Sequence, residues 1–85
     1  MAYTVIWTEK ALTKLKPLPK KTAARIVAAV EKIRDSPLDH VQQLRGSPYF
    51  KLRVGGYRVI QDIRKKVLII YVVKVGKRER VYDNL

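Results

Sequence analysis

Lys51, Arg53 and Arg58 are the residues of this chain whose types and spacing first suggest chemistry. They lie in the run Phe50-Lys51-Leu52-Arg53-Val54-Gly55-Gly56-Tyr57-Arg58-Val59-Ile60, which reads as two alternating strands joined by a Gly-Gly turn. A tight hairpin needs positive φ angles, which glycine adopts at no steric cost. With the turn at Gly55-Gly56, Val54 sits opposite Tyr57 and Arg53 opposite Arg58. Side chains alternate between the two faces of a strand. Phe50, Leu52, Val54, Tyr57 and Val59 therefore share a core face, and the three cations share the other. Like charges directly across a strand pair repel, so a hairpin that stacks them is suited to receiving an anion. Arginine forks grip phosphate oxygens in pairs, and a lysine crowded by arginines gives up its proton more readily. The alternative, that the three cations only solvate an exposed sheet face, stands beside this one.

A Lys/Arg/Tyr set suits one reaction in particular, cleavage of RNA by attack of a 2′-hydroxyl on its own phosphate. That reaction needs a base for the 2′ proton, an acid for the leaving 5′ oxygen, and fixed cations for the charge growing on the phosphate. A tyrosine can stack on a base or share in proton transfer. Other chemistries lack their parts. The sequence has no cysteine, hence no thiolate zinc site, and no His/Cys/Asp/Glu cluster at metal spacing. It has no phosphate-binding glycine loop and no nucleophile elbow. His40 is the single histidine; it reads as a surface loop residue and rules out a two-histidine mechanism. No metal or cofactor is expected.

The elements that must position these residues follow from pattern. Tyr3 to Trp7 reads as a strand. Thr8 is a candidate N-cap for a short helix with Ala11, Leu12 and Leu15 on one face, ended by Pro17 and Pro19. A second helix over about Lys20 to Asp35 has Ala23, Ile26, Val27, Val30 and Ile33 as its buried stripe, and Ser36-Pro37 stops it. After a polar connector, three strands are expected over about Pro48–Val54, Tyr57–Ile63 and Val67–Val75, with Arg64-Lys65-Lys66 as the second hairpin loop. The order is β-α-α-β-β-β, an α+β fold. Only the helical hairpin can cover one face of the antiparallel sheet, which leaves the cationic face open.

Composition sets the outer bounds. The chain reads as one domain over residues 1–85. Nineteen Lys and Arg against seven Asp and Glu leave a net charge of +12, which draws polyanions, nucleic acid first among them. The absence of cysteine and of a signal-peptide pattern points to the cytoplasm. The longest apolar run, Val67 to Val73, is too short to span a bilayer.

The chain resembles the RelE/ParE superfamily of toxins from toxin–antitoxin pairs. The resemblance runs from Met1-Ala2-Tyr3 through Glu9-Lys10-Ala11-Leu12, Leu15 to Pro19, Ser36-Pro37 and Leu44-Arg45-Gly46. Lys51 to Arg58 and Gly76-Lys77-Arg78-Glu79-Arg80 complete it. It is strongest to the RelE branch, whose members are endoribonucleases that cut messenger RNA in the ribosomal A site. The resemblance implies Lys51, Arg58, Arg78 and Tyr82 as catalytic residues, and Arg45, Arg53, Lys77 and Arg80 as RNA-binding ones. It also implies an acidic RelB-like antitoxin, the ribosome and mRNA as partners. Tyr49 stands where the family has a second sheet lysine, Gln61 replaces a tyrosine common after the arginine, and the step from Arg80 to Tyr82 is two residues shorter. A ParE-like gyrase inhibitor and a catalytically silent RNA- or antitoxin-binding domain are the alternatives.

Overall fold

The computed structural model describes residues 2–77. Five strands form one sheet in the order β1-β5-β4-β3-β2: β1 Thr4–Trp7, β2 Gln42–Gln43, β3 Phe50–Val54, β4 Tyr57–Arg64 and β5 Ile69–Lys77. Helices α1 (Glu9–Leu15) and α2 (Lys20–Lys32) follow β1, and a 3-10 turn at Pro37–Asp39 leads into β2. The class and the one-sided helical cover agree with the sequence reading. The sheet differs in being mixed, because β1 runs parallel to β5 while the β2–β3, β3–β4 and β4–β5 pairs are antiparallel. The connector also supplies the short strand β2, which pattern alone did not show.

Thr8 explains how the first helix starts and where it docks. Its Oγ1 accepts from the Ala11 N–H at 3.2 Å, the N-cap bond, and donates to the Val72 carbonyl at 2.8 Å. One side chain thus caps α1 and ties it to β5. Helix α2 ends at Lys32, short of the expected Asp35. There the Arg34 Nε donates to the Tyr3 carbonyl at 2.8 Å and the Tyr3 N–H donates to Arg34 O at 2.8 Å. That tertiary tie competes with another helical turn.

Ala11 and Leu15 of α1, with Ile26, Val30 and Ile33 at the α2 end, pack onto Leu52, Val54, Val59, Val72 and Val75 of the sheet. A second cluster, Tyr3, Ile63 and Ile70, closes the other end with Phe50 and Leu38 packed against it. Burial of this apolar area, at about 25 cal/mol per Å², fixes which sheet face turns inward.

Candidate functional site

The hairpin that carries the cations has the expected register, with Val54 opposite Tyr57 and Arg53 opposite Arg58. Gly55 has φ +59°, and Gly56 does not have a positive φ. One left-handed glycine at the first turn position is the pattern of a type II′ turn. A Cβ on Gly55 would lie 3.3 Å from Arg25 Nη1, so the hairpin tip rests against α2.

Leu52, Val54 and Val59 are buried under the helices, and Lys51, Arg53 and Arg58 emerge on the opposite face. Arg53 is exposed, while Lys51 and Arg58 are half-buried. Asp62 is the sole acidic residue in β3, β4 and β5. Arg64 holds it with Nε at 3.0 Å and Nη2 at 2.8 Å. That hydrogen bond, then the carboxylate charge, raises the Arg64 pKa above its ordinary value. Among the described strand residues, the one carboxylate of the face is therefore already matched by a cation.

Lys74 joins this set, and the sequence reading missed it. Strict alternation from Ile70 and Val72 would put Lys74 in the core. A register shift at Ile60/Gln61 intervenes: Gln61 pairs with Val72, and Ile60 pairs with Lys74. The bulge takes up Val73 as an extra residue, so Val75 stays inside and Lys74 turns to the open face. Lys51, Ile60 and Lys74 then form a row across three strands, with the two lysine backbones about 10 Å apart at normal strand spacing. Lys74 is only 5% exposed, unusually low for a lysine. The sequence carried no clear signal of this, because Ile69, Tyr71, Val73 and Val75 make an equally regular apolar face with no surplus residue.

Two clefts adjoin Lys51. One of about 320 Å³ is lined by His40, Gln42, Lys51 and Arg53. The β2–β3 pairing of Gln42 with Lys51 brings His40 in beside the cations, so the lone histidine borders the site. The other, of about 660 Å³, is lined by the 44–49 loop and Lys51, and Arg45 stands there with Tyr49. Lys77 is set apart. Its Nζ lies 5.6 Å from the centroid of the Tyr57 ring, and it pairs with Tyr57 on the helix-covered side of the sheet. Arg78, Arg80 and Tyr82 lie outside the described residues. The described part of the site is a cationic surface with two lysines and two arginines on one sheet face. Such a surface can hold an anion and stabilise charge that grows on it.

Comparison with known proteins adds to this geometry. The family model described as the ParE toxin of type II toxin-antitoxin system, parDE, matches residues 5–82. The mRNA interferase toxin RelE of Escherichia coli is 31% identical over 83 residues, covering 94% of this chain and 87% of that protein. Among solved structures, the toxin–antitoxin complex RelBE2 from Mycobacterium tuberculosis has a chain that superposes with a TM-score of 0.85 at 27% identity, covering 92% of this chain and 93% of that one. The archaeal RelE–RelB complex from Pyrococcus horikoshii gives 0.79 at 26% identity, covering 94% and 99%.

Proposed function

This chain belongs to the RelE/ParE family of toxins from type II toxin–antitoxin systems, and from that membership we propose that it is a ribosome-dependent endoribonuclease cutting messenger RNA in the A site. The observation that supports this most is the open sheet face, where Lys51, Arg53, Arg58 and Lys74 gather opposite the core. In the proposed reaction the RNA 2′-oxygen bonds to the adjacent phosphorus and the bond to the 5′ oxygen breaks. A 2′,3′-cyclic phosphate and a 5′-hydroxyl end result, with one proton removed and one delivered and no metal required. Arg58 holds the non-bridging oxygens as charge grows on them. Lys51 and Lys74 flank it as charge stabilisers or proton carriers. Arg78 would share the task of Arg58, and Tyr82 would stack on a base or act as acid or base, as the resemblance implies. Arg45, Arg53 and Arg80 would position the strand by phosphate contact, whereas Lys77, expected among them, lies on the helix-covered side of the sheet and takes no part. The ribosome would supply the in-line geometry, so naked RNA should react slowly.

The two solved structures named above are toxin–antitoxin complexes. An acidic RelB-like antitoxin is accordingly the proposed partner of this chain, and its charge would complement a surface at +12. A second reading is favoured by the ParE family match: a toxin that binds gyrase and cuts nothing.

Toeprinting of translated mRNA with the purified protein separates the two. The nuclease reading expects A-site breaks, and single-turnover cleavage slowed about 10²-fold or more by Arg58→Ala with denaturant stability retained. Leu52→Ala, on the buried face, should do the reverse and cost roughly 2–5 kcal/mol of stability. Arg58→Ala cleaving at the parental rate would overturn the assignment of Arg58.

A further inference from the structure

The loop between β2 and β3 is more ordered than a plain connector. The Leu44 N–H donates to Tyr49 O at 2.9 Å and the Ser47 N–H to Leu44 O at 3.1 Å. The Tyr49 N–H donates to Ser47 Oγ at 3.1 Å, and Gln43 Nε2 to Ser47 O at 3.3 Å. Gly46, at φ +72°, supplies the left-handed corner that this closure needs. These bonds hold open the cleft of about 660 Å³, a size suited to a small ligand. Its walls are Leu44, Pro48 and the half-buried Tyr49, with Arg45 and Lys51 as its cations. Tyr49 directly precedes β3 and by alternation shares the face of Lys51 and Arg53. Successive members of that row are about 7 Å apart, close to the reach of one nucleotide. Lys51 also lines the neighbouring polar cleft with Arg53 and His40. A cleft with an aromatic wall, Tyr49, and cations of its own thus sits beside a second polar cleft, with Lys51 shared between them. A single RNA strand alternates base and phosphate.

We propose that the Tyr49 cleft is a nucleobase subsite. The base of a nucleotide flanking the phosphate held at Arg53 and Arg58 stacks on Tyr49 between Leu44 and Pro48, and Arg45 and Lys51 take that nucleotide's own phosphate. The proposal rests on the reading of this chain as a protein that acts on RNA, and it names where that RNA is gripped beside the scissile bond. Stacking is tolerant of base identity and favours the larger rings, so the subsite would bias which nucleotide neighbours the cut.

The test is a ¹H–¹⁵N NMR titration of the full chain with AMP, GMP, CMP and UMP, and with inorganic phosphate as the control. The expected result is saturable shifts of the 44–49 amides and Lys51 with the nucleotides, larger for purines. Phosphate alone should shift Lys51, Arg53 and Arg58 and leave Tyr49 still. Tyr49→Ala should weaken nucleotide binding at least fivefold, with Tyr49→Phe close to the parent. Nucleotide shifts no different from those of phosphate, or an unchanged titration in Tyr49→Ala, would overturn the subsite. So would 44–49 shifts produced only by an acidic peptide. Monophosphates have no bond to cleave, so this result is independent of whether Arg58→Ala abolishes cleavage, which judges the nuclease reading itself.

Discussion

At the scale of single residues, Lys74 shows how a charge can enter a site by geometry that period-two counting does not reveal. It is nearly buried, yet it points to the face opposite the core. A long amine carried into such a place loses hydration, and a substrate phosphate would restore the interaction lost. Lys74→Met keeps the unbranched shape and removes the charge. Single-turnover cleavage on programmed ribosomes should fall about 10²-fold, while urea melts stay within about 1.5 kcal/mol of the parent. Parental cleavage by Lys74→Met would remove Lys74 from the site. Unfolding would mean that the lysine serves the fold.

At the scale of elements, the bulge between β4 and β5 has a cost as well as a use. Gln61 sits at it, fully buried on the core side. Among the described residues neither its Nε2 nor its Oε1 has a hydrogen-bond partner. A buried amide left unpaired costs about 1–3 kcal/mol. Gln61→Leu, similar in volume and without that penalty, should raise stability in urea melts by roughly 1 kcal/mol or more. If the variant is less stable, the amide is engaged in the folded protein and the bulge depends on it. The side chain points away from the open face, so cleavage should be unchanged.

At the scale of the whole molecule, the net charge of +12 governs encounter. Among the described residues no helix is long and apolar enough to cross a membrane, and the cations are spread over the helices as well as over the open sheet face. If six or more of them meet phosphate, affinity for ribosome or RNA should fall about 10³-fold or more between roughly 50 and 200 mM salt. Filter binding or sedimentation across that range measures the slope. A flat profile would favour the gyrase-binding reading, in which a protein surface is the target.

The sequence by itself determined what depends on local rules. Gly55-Gly56 set the hairpin and its register, which put Arg53 across from Arg58. Thr8 set the start of α1, and the Ile26/Val30 stripe set the inward face of α2. Each is fixed by neighbours within a few positions, through turn sterics, capping or helical period. The tertiary structure decided what depends on partners far along the chain. The direction of β1 beside β5 joins segments more than sixty residues apart, so no turn between them reveals it. His40 reaches the cationic face only because β2 pairs with β3. Lys74 changes face because β5 must keep Ile70, Val72 and Val75 all on the buried face, and one surplus residue in the ladder is the way an antiparallel pair can do that.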